Sequence, residues 1–298
     1  MMRSRSFLPV LVALIGLAFF GVMDGVMKAA SIAIGPYGAM FWRSVLGSMF
    51  MAPLWLRRRH IAGVRGLPPV AVLRIHALRG AVVAAMAVLF FYGLVRTPMA
   101  EAMALTFIAP LIALYLAAAL LGETVGGRAV AGSLLALAGV GVIAASKFGG
   151  AWNPEAVKGL VAILVSAVLY AWNLVIQRQQ AQVSSPEEIA FFQAFVIAVL
   201  LGSVAWWLAP MPDAKTWVEL AAAAVLAATS LMLLGWAYAR AEAQVLVPME
   251  YTAFIWAALV GWYAFDEALT WHTLGGVALI VAGCLLATRA DGPHLEPV

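Results

Sequence analysis

The chain has 298 residues, of which 65% are hydrophobic and 11% charged, with a mean hydropathy of +0.99 and a formal net charge of +4. A soluble globular domain carries about 25% charged residues, so this composition excludes a chain folded as ordinary soluble domains. The single cysteine, Cys284, excludes an intramolecular disulfide and a cysteine-based metal cluster.

Roughly 20 apolar residues, each rising about 1.5 Å along a helix, cross a hydrocarbon layer about 30 Å thick. On that measure the sequence predicts ten spans, over 8–31, 36–56, 75–96, 99–121, 128–147, 155–177, 187–208, 216–239, 242–263 and 271–289. The first run follows Arg3 and Arg5 as a signal peptide does, but its length and its internal Asp24 and Lys28 identify a retained helix. Asn153-Pro154-Glu155 and Ser185-Pro186-Glu187 each supply a cap, a first-turn proline and an early acid for the helices that follow.

Arg57, Arg58, Arg59, Arg65 and Arg74 crowd the loop after the second span, whereas the alternate loops hold only Arg96, Lys147, Lys158 and Lys215. By the positive-inside bias this predicts an inner-membrane protein with both termini in the cytoplasm. The positive charge is then an orientation signal and calls for no nucleic acid. The partners expected are the lipid bilayer and a small-molecule substrate.

The second half of the chain echoes the first. Ala100-Glu101-Ala102 opens the fourth span and Ala241-Glu242-Ala243 the ninth, and these spans end at Gly122-Glu123 and Asp266-Glu267. Gly132 and Gly139 follow Glu123 at the spacing with which Gly276 and Gly283 follow Glu267. The division predicted is 1–148 and 149–298, two five-helix repeats. Five spans end on the side opposite their start, so the copies are inverted, a plan common in secondary transporters with the substrate near the midplane between repeats.

The strings FWRSVLG in span two, HALRG opening span three, FFYGLVRTPMAEAMALTFIAPLIALYLAAALLGETVG across spans three and four, and VLVPMEYTAFIWAALVGWYAFDEAL across span nine carry a family signature. In these the chain resembles the EamA-type, two-repeat, ten-helix transporters of the drug/metabolite transporter superfamily. Asp266 stands where the family usually has glycine. The resemblance implies an all-helical carrier that moves small polar metabolites, amino acids and their relatives prominent among them, by alternating access. A channel, or a structural membrane subunit without carrier activity, is the alternative.

Ionisable groups inside spans face protein or a water-filled cavity. Asp24 and Lys28 share one face of span one, and Arg43 lies at a matching depth in span two, both Asp24 and Arg43 being roughly 14 Å from the intervening turn. Two readings stay open for the three. They form a buried salt-bridge group that fixes the helices, or one of them contacts a charged part of the substrate, a guanidinium suiting a carboxylate. Glu250, beside Tyr251, Thr252 and Trp256, is a candidate proton carrier or ammonium binder, or a structural partner for Arg79.

Arg79 itself either lines the cavity or snorkels to the surface. Tyr92, Tyr170, Asn173, Gln177 and Trp236 are candidate cavity residues for which packing is the competing role. Glu101 and Glu242 fall in first turns, where a carboxylate favours the helix end, and Glu123 and Glu267 read as turn or gate residues. Spans five and ten are rich in glycine and alanine, as helices that pack closely or mediate a dimer are, and either a monomer or a homodimer fits. No metalloprotease, nucleophile-elbow or phosphate-loop motif occurs, so the reading is a non-enzyme without metal or cofactor.

Overall fold

The computed structural model describes residues 7–64, 66–121, 127–148, 153–238, 240, 246 and 249–288. Among these the regular structure is all helical: α1 (Phe7–Ile61), α2 (Val70–Leu94), α3 (Met99–Thr106), α4 (Ala109–Leu121), α5 (Gly127–Phe148), α6 (Pro154–Ala181), α7 (Pro186–Gly202), α8 (Ala205–Leu208), α9 (Ala214–Tyr238), α10 (Ala253–Phe265) and α11 (Trp271–Thr288). Four of the described helices, α1, α2, α6 and α9, are long and apolar enough to cross a membrane, and α5, α10 and α11 are shorter apolar helices.

The first two predicted spans form one bent element. Helical geometry in α1 is interrupted at Gly35, whose φ of 78° and ψ of 151° suit a residue without Cβ, and Pro36 then starts the returning arm without needing an N–H partner. The predicted starts of α6 and α7 are capped as the sequence suggested. Asn153 Oδ1 accepts from the N–H groups of Glu155 and Ala156, and Ser185 Oγ from that of Glu188.

Three predicted spans are interrupted: 187–208 divides into α7 and α8 at Ser203-Val204, and the other two break at corresponding points of the two halves. The run over 99–121 divides into α3 and α4 at Phe107-Ile108, because Pro110 has no N–H for the Thr106 carbonyl. There the bonding tightens to an i→i+3 pattern, Phe107 N–H to Ala104 O at 3.2 Å and Leu111 N–H to Ile108 O at 3.1 Å. In the second half a turn at Tyr251-Thr252 precedes α10, with Thr252 N–H to Met249 O and Ile255 N–H to Thr252 O both at 2.9 Å. Relative to Glu123 and Glu267 the two turns hold the same place, and short 3₁₀ stretches inside a helix mark hinges.

The helices pair α1 with α9, α2 with α6, the second arm of α1 with α7, and α5 with α11. The α5–α11 contact runs through glycines. A Cβ on Gly139 would stand 2.5 Å from the Gly276 carbonyl oxygen, and one on Gly283 would collide with the carbonyl of Gly132. The pairs Gly132–Gly283 and Gly139–Gly276 change places when the two halves of the sequence are exchanged, which is how a two-fold contact behaves. Bare backbones let these helices approach where lipid gives no hydrophobic drive for packing.

Surface chemistry sorts by end. The bundle end that holds Gly35, Thr97 and Glu267 also carries exposed Trp206, Trp207, Trp262, Tyr263 and Trp271, a belt of the kind that sits at headgroup level. The opposite end carries exposed Arg57, Arg58 and Arg74. Between them lies one large apolar core to which Met23, Met27, Met40, Phe91, Leu105 and Ile280 contribute.

Candidate functional site

Asp24 is 2% exposed, about 16 Å along the helix from Gly35. Gly21 and Gly25 flank it and draw α10 against α1: a Cβ on Gly21 would lie 2.7 Å from Trp256 Cβ, and one on Gly25 would meet Val260. Asp24 and Arg43 lie in electrostatic range of each other, yet among the described residues no ion pair within 4 Å joins them. Asp24 Oδ2 has no hydrogen-bond partner there, and Arg43 donates only to the Met23 sulfur, at 3.7 Å. The buried indole N–H of Trp256 is likewise unpartnered. An unmet carboxylate oxygen and an unmet indole N–H are thus buried in the bundle, with a guanidinium whose hydrogen bond among the described residues goes to sulfur, and uncompensated buried polar groups are costly.

Within the same core the two helix breaks meet. The rings of Phe107 and Tyr251 pack edge to face at 5.1 Å, and Cys284 of α11 donates its S–H to the freed Phe107 carbonyl at 3.2 Å. That bond gives the lone cysteine a role that its sequence position did not suggest. Tyr170 of α6 and Ile108 at the first break both pack against the cluster of Ala109, Ala167 and Ala171, and Tyr170 lies within electrostatic range of Glu250 and Arg79. Glu250 is half-buried and close enough to Tyr251 to interact electrostatically.

Lys28 does not join Asp24 and Arg43. Its ammonium pairs with Glu267, donates to Thr97 O at 3.0 Å and lies 5.1 Å over the Phe265 ring. The second carboxylate oxygen of Glu267 accepts from Met99 N–H at 2.7 Å, so this residue fastens α1, the start of α3 and the end of α10 together. Asp266 takes a left-handed φ of 54°, and the next N–H, that of Glu267, bonds to Gly261 O at 3.1 Å. Gly261 has to be glycine here, because a Cβ would occupy the place of the Glu267 carboxylate. Glu101, 3% exposed, accepts from Thr273 Oγ1 at 3.1 Å and ties α3 to α11 at the same end.

Towards the opposite end, Arg79 is 5% exposed and is gripped by three amides of α6: Asn173 Oδ1 at 2.9 Å, Gln180 Oε1 at 2.6 Å and Gln177 Oε1 at 3.3 Å. Gln180 Nε2 contacts His76 Nδ1 at 2.6 Å, and His76 Nε2 lies 3.4 Å from Glu188 Oε1. Glu188 Oε2 accepts from Arg59 at 3.2 Å and from the Trp55 indole at 3.3 Å. The network laces α1 and α2 to α6 and α7.

The sequence model of the EamA-like transporter family matches residues 7–145 and again 157–289. The chain belongs to that family. Among its relatives are a pseudopaline exporter of Pseudomonas aeruginosa, 27% identical over 94% of this chain and 95% of that protein, and an S-adenosylmethionine uptake transporter of Rickettsia bellii, 26% identical over 73% of each. A riboflavin transporter of Brucella anthropi is 23% identical over 84% of this chain and 87% of its own length. A solved crystal structure, 24% identical, superimposes with a TM-score of 0.62 over 96% of this chain and 98% of its own, and shares the fold. The protein is a multi-pass membrane transporter of the drug/metabolite type and not an enzyme.

In this EamA-like transporter the remaining predicted residues lie apart from the centre. Tyr92 sits under the Arg96 guanidinium, 3.6 Å from it, at a surface cleft of about 410 Å³ between α2 and α6. Trp236 carries the Arg240 guanidinium 4.2 Å above its ring and packs beside Ala237 and Leu246. Asn173 and Gln177 serve Arg79. Glu123 and Glu242 lie outside the described residues. Sequence reasoning passed over His76, Gln180 and Glu188, since each sits in an ordinary helical context and only their convergence from three helices marks them.

Proposed function

We propose that this EamA-like transporter is a secondary carrier that moves a small polar metabolite, an amino acid or related compound, across the cytoplasmic membrane by alternating access. The observation that carries the reading is the pair of broken helices, interrupted at matching positions and meeting at Phe107 and Tyr251, in a bundle that also buries the unpartnered Asp24 carboxylate oxygen. Discontinuous helices at a repeat interface supply loose backbone groups and hinges where a substrate binds. The repeats are 1–148 and 149–298, inverted, with ten spans and both termini cytoplasmic. The exchange-symmetric glycine contacts, the two family matches and the segregation of arginine from the aromatic belt support that arrangement.

In this reading Asp24, Arg43 and Trp256 offer an acceptor and two donors to a ligand that bears opposite charges, and Tyr170, Glu250 and Tyr251 line the other side. A ligand that supplies an ammonium to Asp24 and a carboxylate to Arg43 compensates both charges at once. Arg79 and Asn173 reach it when the α2–α6 contact loosens. Lys28 acts from the outer seal. Relatives named for export and for uptake of small metabolites agree with the substrate class.

The test is counterflow in proteoliposomes loaded with an unlabelled L-amino acid mixture and diluted into a labelled trace. A transient, saturable overshoot is expected. Ohmic conductance without counterflow would identify a channel, and neither signal would leave a structural subunit. Reporter fusions at residues 62 and 298 are expected in the cytoplasm and those at 34 and 151 outside, and a C-terminus outside removes the inverted ten-span plan.

A further inference from the structure

His76 is 1% exposed, with its ring stacked on Phe192 at 4.5 Å, and the partner of its Nδ1 has a fixed role. A guanidinium only donates, so the Gln180 atom 2.6 Å from Arg79 Nη1 is the carbonyl oxygen, and the amide nitrogen therefore faces His76. An amide nitrogen donates, so His76 Nδ1 accepts and is unprotonated. The ring proton is on Nε2, directed at Glu188 Oε1.

A second proton on the imidazole goes to the Nδ1 lone pair and turns that atom into a donor. It then faces the amide donor of Gln180 across 2.6 Å. Rotating the amide presents its oxygen to His76, but the amide nitrogen then confronts Arg79, again donor against donor. Neither orientation of Gln180 serves a cationic His76 and a bound Arg79 together.

We propose that His76 is a proton-binding site for the transport cycle, and that proton uptake there releases Arg79 from Gln180 and loosens α2 from α6. The site rests on the carrier reading and adds the coupling ion to it. The groups that face His76 agree with the site. Glu188 of α7 attracts the proton, and Arg59 of α1 already half-neutralises that carboxylate. Arg79, one turn along α2, repels it, which favours separation once His76 is charged. Ser184, half-exposed in the turn after α6, lies 3.4 Å from Nε2 and connects the ring to the nearby surface. Histidine is the side chain whose unperturbed titration falls in the range where a proton gradient acts.

Two measurements on the full-length protein test this. Nitrogen-15 histidine spectra of the purified protein, with His76→Gln to identify the resonance, should show a neutral Nε2–H tautomer at about pH 8 and a cation at about pH 5. A His76 that stays neutral throughout, or holds the other tautomer at high pH, overturns the site without any substrate being involved. In proteoliposomes with the labelled L-amino acid mixture, accumulation driven by a pH gradient should fall about tenfold in His76→Gln while counterflow persists. Gradient-driven accumulation equal to that of the wild type overturns the proposal, and so does a wild type that counterflows but ignores the gradient. Absence of counterflow in the wild type instead sinks the carrier reading. Gln180→Glu gives an independent reading should His76→Gln not fold. A carboxylate accepts from Arg79 and from a cationic His76 together, so His76 should be charged even at about pH 8 and the gradient should no longer drive uptake. A Gln180→Glu protein with wild-type titration and wild-type gradient response overturns the coupling.

Discussion

At the residue scale, the half-buried Glu267 carboxylate fastens one end of the bundle through Lys28 and Met99 N–H. Glu267→Gln leaves the Lys28 ammonium 4% exposed and without its counter-charge, and removing one partner of a buried pair costs about 3 kcal/mol. The closed form should lose population, read as faster labelling of a Thr97→Cys reporter in a Cys284→Ser background. Gly261→Ala, which displaces the same carboxylate sterically, should act in the same direction, and unchanged labelling in both variants would show that the pair does not hold this end shut. A milder effect is due at Asp213, outside the spans. Its carboxylate caps α9 through Thr216, with Thr216 N–H to Oδ1 at 2.8 Å, and this hydrogen bonding holds its pKa below the ordinary aspartate value. A lowered folded-state pKa means that the capping contribution is complete above the unfolded value and is lost as pH falls through the lowered one. Amide exchange at Thr216, corrected for intrinsic pH dependence, should rise over that acid range in the wild type and stay level in Asp213→Asn. At this scale the sequence exposed Asp24, Arg43 and Glu250, because charge inside an apolar run is visible without coordinates. Pairing was less legible: Lys28 sits one turn from Asp24 but is claimed by Glu267, 239 positions away.

At the element scale the hydrophobic runs located the helices, and their interruptions were harder to see. The gap between the runs 8–31 and 36–56 announced the bend in α1, and Gly122-Glu123 and Asp266-Glu267 announced the ends of spans four and nine. The break at Phe107 had only Pro110 as a cue, and Tyr251-Thr252 looks like uninterrupted apolar helix in sequence. Such breaks depend on donors elsewhere, as when Cys284 of α11 donates its S–H to the Phe107 carbonyl. The left-handed bend at Gly35 gives a direct test. No neighbour crowds the position, so Gly35→Ala isolates the backbone cost of a Cβ at φ 78° and ψ 151°, about 1 to 3 kcal/mol. The variant should melt lower than the wild type while keeping its ligand selectivity. A variant as stable as the wild type would mean that the two arms of α1 adjust without passing through the left-handed region.

For the whole molecule, the two locks lie at opposite ends, and each crosses between the halves of the chain. Lys28 belongs to the first half and Glu267 to the second, and Arg79 and His76 of the first half hold Asn173, Gln180 and Glu188 of the second. Small internal shifts become large ones only where packed interfaces have alternative arrangements. A carrier built this way has to release one lock to expose the centre to that side, so a covalent bond across either lock should stop the cycle. The Lys28→Cys/Glu267→Cys pair, in a Cys284→Ser background and bridged by a reducible bifunctional thiol reagent, should bind ligand from the opposite side, since the central charges are untouched. It should not complete counterflow, and reductant should restore the overshoot. Full counterflow with the bridge in place would mean that this end never opens, and the exchange-symmetric contacts of α5 and α11 would then describe a static scaffold instead of two halves that rock.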